Sequence, residues 1–257
     1  MIIPVYKPLG ASSHQLAAQI GSFHDQKATH TGTLDPMAEG VLVVLTGEDR
    51  FKKKELATTN KEYHFTIIFG FQTDSHDLLG LQTKPAAKTK LSTQQIHQQL
   101  STSISKYVGV AKQIQPLFSA GRLRGASLFD YGKAKITVTT PINTIHIKKL
   151  ELLASEDLSI EKLWLECQER IGTVSGNFRQ DECLASWKKA LTARQRAGCT
   201  SVPRCALKAT VTKRTYIRGL VRDLSEELDI PATTFSIVRT KNGPFTLSDC
   251  ITVPPNQ

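Results

Sequence analysis

The stretch His30-Thr31-Gly32-Thr33-Leu34-Asp35-Pro36-Met37-Ala38-Glu39-Gly40-Val41-Leu42 decides how this chain is read. Asp35 stands in its glycine-flanked, largely uncharged part, and the continuous apolar run from Gly40 to Leu45 follows. A short apolar run bounded by glycines predicts a buried strand, so the loop delivers a carboxylate to the edge of a core. An Asp before Pro ordinarily serves a turn or a helix cap. Set in a pocket beside a cation, the same group is a candidate nucleophile.

Upstream, Ser12 with Gln15 forms a capping-box pattern, and Leu16, Ala17, Ile20 and Phe23 recur at helical spacing, which predicts a first helix. Downstream, residues 62–70 alternate Tyr63, Phe65, Ile67 and Phe69 against His64 and Thr66, a strand pattern. Ser92 and Gln95 open a second helix that puts Ile96, Leu100 and Ile104 on one face. Tyr107 to Gly125 shows no period and predicts a surface loop. Strand signals return at 145–153 and 206–213, and 217–229 reads as an amphipathic helix through Leu220, Val221, Leu224 and Leu228. Between those strands, about 155–205, lie helix-like segments around Leu163, Trp164 and Cys167 and around Leu184, Trp187 and Leu191, which predict an inserted helical subdomain. Helices and strands interleave without a strict βαβ rhythm. The expected class is α+β, a mixed and mostly antiparallel sheet flanked by helices and loops.

The charges narrow the function. Against 23 Asp and Glu stand 33 Lys and Arg, a net charge of +10, and the excess is segregated. Residues 78–129 hold no acid but carry Lys84, Lys88, Lys90, Lys106, Lys112, Arg122 and Arg124; residues 183–222 hold none either. Such tracts point to a polyanionic partner. No apolar run reaches the length of a membrane span, and the N-terminus lacks a basic region followed by an apolar one, so neither a membrane nor secretion is expected. The five cysteines, dispersed from Cys167 to Cys250 without a Cys-x-x-Cys pair, suit buried reduced thiols in the cytoplasm better than disulfides or zinc.

The remaining motifs fall in a recognisable order: Lys7-Pro8-Leu9-Gly10 and Ser13, the opening run, Lys61-Glu62-Tyr63, Gly70-Phe71-Gln72-Thr73-Asp74-Ser75-His76-Asp77, Gln115-Pro116-Leu117-Phe118-Ser119-Ala120 and Thr215-Tyr216-Ile217-Arg218. In this order, from about residue 4 to 247, the chain resembles the TruB-type tRNA pseudouridine synthases, which isomerise a T-loop uridine (U55) of tRNA. The resemblance implies a pseudouridine synthase fold across a single catalytic domain, 1–257, with no metal and no organic cofactor. It implies tRNA bound through its T-arm by a monomer that needs no protein partner.

By the same resemblance Asp35 is the catalytic carboxylate, acting by covalent attack at C1′ or C6 or by assisting glycosidic cleavage. Arg218 matches its arginine partner, a cation that an ionised carboxylate in a buried site requires. Tyr63 matches the aromatic that stacks on the flipped uracil, Tyr216 and Ile237 match walls of the base pocket, and Asp77 matches a polar group near the target. His30 matches the residue that fills the space a flipped base leaves. Arg122, Arg124 and Lys133 fall in the segment, about 107–135, that resembles an RNA-clamping insertion next to Phe118, Phe129 and Tyr131, while Arg239 and Lys241 are candidates for the RNA backbone.

Three positions depart from the family pattern. Thr29 and Arg214 stand where glycines are usual, and Glu39 replaces a small or hydroxyl residue. The chain also stops soon after Thr246-Leu247-Ser248, without a C-terminal PUA-type RNA-binding domain, so the basic helical insertion with Lys188, Lys189, Arg194 and Arg196 is expected to supply part of the RNA affinity. Two other activities fit the class: a tRNA-folding chaperone with weak or lost catalysis, and an RNA-guided enzyme acting on ribosomal RNA.

Overall fold

The computed structural model describes residues 1–84 and 92–253. Lys88 and Lys90 of the first acid-free tract lie outside the described residues. The chain opens with β1 (Ile2–Lys7) and α1 (Ser13–Phe23), whose N-cap Ser12 accepts a hydrogen bond from the Gln15 backbone. Next come β2 (Ala28–Thr31), β3 (Ala38–Thr46), the short α2 (Lys53–Leu56), β4 (Lys61–Phe69) and α3 (Thr93–Ser103). After β5 (Gly109–Ile114) a small hairpin of β6 (Arg122–Leu123) and β7 (Ala126–Ser127) leads into α4 (Leu128–Lys133). The long β8 (Ile142–Ser159) then runs into α5 (Ile160–Gly172) and α6 (Gln180–Arg196) before β9 (Ser201–Val211). α7 (Ile217–Leu228), β10 (Ala232–Asn242), β11 (Phe245–Thr246) and β12 (Ile251–Thr252) complete the described chain.

One sheet organises these elements, with strand order β12-β1-β3-β10-β4-β9-β8-β5, β2 added beside β3 and β11 beside β10. β3 with β10 and β1 with β12 are parallel; the other pairs are antiparallel. The fold class is therefore the α+β class expected. β3 is buried from Gly40 to Thr46, as a strand covered on both faces must be. α1 packs Leu16, Ala17 and Ile20 against Val5, Leu42 and Val44, while Val41, Val43 and Leu45 face the other side.

The centre of the sheet is likewise covered twice. Tyr63, Phe65, Ile67 and Phe69 of β4 meet Leu220, Val221 and Leu224 of α7 and Ile96 and Leu100 of α3. On the opposite face Ile68 and Phe235 pack with Leu163, Cys167 and Trp187 of the α5–α6 hairpin. Phe235 and Ile237 point to opposite faces although they are two residues apart, because the β10 register shifts between Thr234 and Ser236.

Two expectations need correction. Tyr107 to Gly125 is not a surface loop throughout: β5 pairs along Gly109–Ile114 with β8. Its pattern is inverted, with Gln113 buried and Val110 and Ile114 exposed, so a hydrophobic period could not reveal it. The strands expected at 145–153 and 206–213 run instead over Ile142–Ser159 and Ser201–Val211. Their polar extensions are held by ladder bonds and by Arg204 on Glu156 at 2.6 Å.

Candidate active site

Asp35 sits on the short connection between β2 and β3, and the flanking motifs hold that connection in place. The Ser13 hydroxyl donates to the Leu34 carbonyl at 2.9 Å and accepts from the Leu34 amide at 3.0 Å. Gly10 donates its amide to the Pro36 carbonyl at 2.9 Å. Gly10 has φ +80°, and a Cβ there would lie 2.1 Å from the Thr173 carbonyl oxygen, so no other residue fits without displacing that backbone. Buried Lys7 donates to the Ala38 carbonyl at 2.5 Å, and burial lowers its ammonium to about 8, against the pull of Asp35 and Glu39. At Gly40, φ +106°, a Cβ would meet the Arg239 carbonyl oxygen at 2.3 Å; glycine is what allows β3 to lie so close to β10.

The cation facing Asp35 comes from the first turn of α7. Arg218 is 2% exposed and its Nε donates to Asp35 Oδ2 at 2.8 Å, with Asp35 itself 28% exposed. Arg218 Nη1 donates to the Ser75 carbonyl at 2.7 Å and Nη2 to the Phe118 carbonyl at 2.8 Å. The planar guanidinium is thus pinned on all three nitrogens, a geometry lysine cannot reproduce. Asp77 lies on the same guanidinium, its Oδ2 3.5 Å from Nε. Burial raises the Asp77 carboxyl, opposed by Arg218 and by hydrogen bonds from Ser75 and the Leu79 amide.

A pocket of about 740 Å³ opens beside Asp35, lined among others by Tyr63, Tyr216, Ile237, Lys61 and Arg239. The structure therefore brings four of the six predicted catalytic and base-pocket residues, Asp35, Tyr63, Tyr216 and Ile237, onto one cavity. Asp77 and Arg218 stand on the other side of Asp35, where with Ser75 and Phe118 they line a small adjoining pocket that Asp35 shares. Tyr216, the N-cap residue of α7, is held by Gln113, which accepts from its amide at 2.8 Å and donates to its carbonyl at 3.1 Å, and by Gln115, which donates to its hydroxyl at 2.9 Å. Burial, with Asp35 nearby, raises the Tyr216 phenol.

Arg239 is not a surface contact for an RNA backbone. It is 1% exposed, donates from Nε to the Val41 carbonyl at 2.7 Å and from Nη1 to the Tyr63 hydroxyl at 3.4 Å, and its Nη2 has no hydrogen-bond partner among the described residues. Lys61, buried beside it, donates to the Ala57 and Thr59 carbonyls and is lowered to about 8, chiefly by burial and then by Arg239 and Lys213. Lys241 is exposed. His30 lies half-buried 3.2 Å from the Thr33 hydroxyl, and burial with Lys53, His14 and Arg239 lowers it to about 4, so its ring is neutral near pH 7.

Arg122, Arg124 and Lys133 are exposed on the β6–β7 hairpin and α4. Arg124 and Gly125 both take positive φ, +51° and +90°, as a two-residue hairpin turn of type I′ requires. α4 is fixed by a capping box between Ser127 and Asp130. Arg194, expected on the basic face of the insertion, is instead buried at 1% exposure, whereas Lys188, Lys189 and Arg196 are exposed. The family departures are accommodated: Tyr6 donates to Glu39 at 2.7 Å, Thr29 accepts from Lys53 at 2.9 Å, and Arg214 adopts φ +63°.

Sequence reasoning missed Gln113, which could have been found only from a polar residue at an inward strand position. Cys167, Cys183, Cys199 and Cys205 are buried thiols, and burial raises Cys167 beyond its ordinary range and Cys183 to about 12. Among the described residues no group of three or more His, Cys, Asp or Glu could hold a metal, and no helix is long and apolar enough to cross a membrane.

Comparisons with known proteins meet this geometry. Residues 21–173 match the model of the TruB family pseudouridylate synthase (N terminal domain). The tRNA pseudouridine synthase B of Halalkalibacterium halodurans is 30% identical over 253 residues, 98% of this chain and 69% of that protein. The enzyme of the same name from Lactiplantibacillus plantarum is 30% identical over 252 residues, again 98% of this chain and 69% of that protein. Among solved structures, a Cbf5–Nop10–Gar1 complex matches with TM-score 0.58 and 20% identity, and an H/ACA RNP bound to a substrate RNA containing 2′-deoxyuridine with 0.55 and 19%. Both cover 98% of this chain, which spans about half the length of the matched chains, 52% and 50%. On that family model and those relatives, with a fold to match, the chain belongs to the TruB family of pseudouridylate synthases.

Proposed function

We propose that this chain is a tRNA pseudouridine synthase that converts the T-loop uridine, U55, to pseudouridine, working as a cytoplasmic monomer on the T-arm. The observation that carries the reading is the Asp35 carboxylate held by Arg218 Nε at 2.8 Å on the lip of the Tyr63–Tyr216–Ile237 pocket. Isomerisation breaks the bond from C1′ to N1, forms the bond from C1′ to C5, moves a proton from C5 and returns one to N1. Atoms and electrons balance without a redox partner. The site must supply a carboxylate, a place for the uracil to turn and a way to hold it meanwhile.

Asp35 has the position for attack on the sugar or the base, and Arg218 supplies the positive charge opposite it. Tyr63 and Ile237 offer apolar faces to a flipped uracil, and Nη2 of Arg239, without a hydrogen-bond partner among the described residues, is a buried donor suited to a base carbonyl. Exposed Lys54, Lys213 and Arg214 rim the same cavity and suit the flanking phosphates.

The test is to incubate the protein with unmodified tRNA transcript and to map pseudouridine by chemical labelling and primer stops, with Asp35→Asn in parallel. A stop at U55 that depends on Asp35 is expected. Wild-type protein that binds tRNA but leaves every uridine unchanged would overturn the proposal, and a stop at a different uridine would overturn the assignment to U55.

A further inference from the structure

Two main-chain carbonyls aim Arg218 at Asp35, those of Ser75 and Phe118, and a single side chain grips both of the segments that carry them. Arg179, between α5 and α6, lays its guanidinium over the Phe118 ring with Cζ 4.4 Å from the centroid. The same guanidinium reaches Asp74, the neighbour of Ser75, with Nη1 2.9 Å from Oδ2 and Nη2 3.3 Å from Oδ1. Asp74 Oδ1 in turn accepts from the Leu81 amide at 2.9 Å and closes the loop that contains Ser75 and Asp77.

The rest of the hairpin reinforces this grip. Trp187 Nε1 donates to the Leu78 carbonyl at 2.9 Å, and the Ser186 hydroxyl accepts from the Gln82 amide at 3.1 Å. Phe178 packs on Phe129 at 5.2 Å, and Phe129 meets Phe118 edge-on at 6.0 Å. Arg179 itself takes φ +63° and ψ 33°, a left-handed conformation that a non-glycine residue keeps only where its surroundings impose it.

We propose that Arg179 is a positioning residue for Arg218, so that the helical hairpin between β8 and β9 sets the orientation of the Asp35 counter-ion. The proposal rests on the function given above. Displacing either carbonyl rotates the guanidinium plane and swings Nε away from Asp35, and a misplacement near 1 Å is enough to cost about 100-fold in rate. Arg179 stands outside the 740 Å³ pocket and lines, with Asp35, Phe118 and Arg218, the small pocket behind the catalytic-site loop, so its removal is expected to act on the chemical step more than on tRNA affinity.

The experiment compares wild type, Arg179→Ala, Arg179→Lys and Phe118→Leu in single-turnover conversion of saturating tRNA, in tRNA affinity, and in hydrogen exchange of the Arg218 Nε–H observed by NMR in the free protein. Arg179→Ala is expected to slow conversion by about 10- to 100-fold with affinity within about twofold, and to speed Nε–H exchange by at least about tenfold. Arg179→Lys keeps the charge on Asp74 but not the plane on Phe118, and is expected to fall between. Wild-type rate and exchange in Arg179→Ala, or a loss confined to affinity, would overturn the proposal. If Arg179→Ala melts below the assay temperature, Arg179→Lys and Phe118→Leu carry the same comparison and the same overturning result. An inactive wild type would refute the assigned reaction instead, and the exchange measurement would still decide the positioning role.

Discussion

Arg218 Nε lies 2.8 Å from Asp35 Oδ2 while both of its terminal nitrogens are spent on the main-chain carbonyls of Ser75 and Phe118. The pair therefore combines an aimed contact with a largely immobile cation. Asp35→Asn keeps the shape of the loop and removes the carboxylate charge that the proposed reaction requires. It is expected to reduce pseudouridine formation by at least about 1000-fold while leaving tRNA affinity within about threefold. Arg218→Lys keeps a charge but strands carbonyl acceptors in a buried site, so it is expected to lose about 1–3 kcal/mol of stability as well as activity. Single-turnover rates and denaturant midpoints measured on the same preparations separate the two effects.

Arg214, one of the three departures from the expected motif pattern, occupies a left-handed position, φ +63°, and is exposed at the rim of the pocket. A non-glycine residue there costs about 1–2 kcal/mol, which a phosphate contact would justify. Arg214→Gly is expected to raise stability by about 1 kcal/mol, or about 2–4 °C in Tm for a chain of this size, and to lower the salt slope of tRNA binding by about 1. Calorimetry and a salt titration check the opposing signs; a fall in Tm with an unchanged salt slope would sink the idea.

His76 supplies a pH signature. Burial, with Arg218 and Arg222 nearby, lowers its ring to about 3, against about 6.5 in an unfolded chain. Between those values the unfolded chain holds a proton that the folded chain does not, so the contribution of His76 is full above pH 6.5 and is lost as pH falls toward 3. His76→Asn removes the titration, and asparagine tolerates the φ of +60° at this position. Urea midpoints at pH 7 and pH 5 are expected to show the variant losing less stability on acidification than wild type, by up to about 2 kcal/mol.

What the sequence revealed follows from where its signals were physical. The glycine-bounded run of β3 and the alternation of β4 gave the buried centre of the sheet, since β3 is buried on both faces from Gly40 onward while β4 alternates buried with more open positions as far as Thr66, before its second face is covered at Ile68. Ser12 and Ser92 marked helix starts because each caps a helix with its own side chain. β5 stayed hidden because its inward residue, Gln113, is polar and serves Tyr216. Arg239 was misplaced for a related reason: nothing local distinguishes an arginine on a surface strand from one turned inward to Tyr63 and the Val41 carbonyl. The union of Asp35 with Arg218 joins positions 183 residues apart and was visible only through resemblance.

The hairpin of α5 and α6 invites a deletion, but its core argues for a different test. Leu163, Cys167 and Trp187 share one buried cluster with Ile68, Phe71 and Phe235 of the sheet side, so removal would open the core rather than subtract a binding surface. Losing Trp187 alone is expected to cost about 3–5 kcal/mol. The exposed cations are the discriminating targets, and Arg194 is not one of them because it is buried. The combined change Lys188→Ala, Lys189→Ala and Arg196→Ala leaves that cluster intact and is expected to shift Tm by no more than about 2 °C. If this face binds tRNA phosphates, the salt slope falls by about 0.7–0.9 for each phosphate no longer neutralised, with no change in single-turnover rate at saturation. A slope equal to that of wild type would show that the hairpin serves the active site and the core, and that the cations holding the phosphates lie on the pocket rim and the β6–β7 hairpin instead.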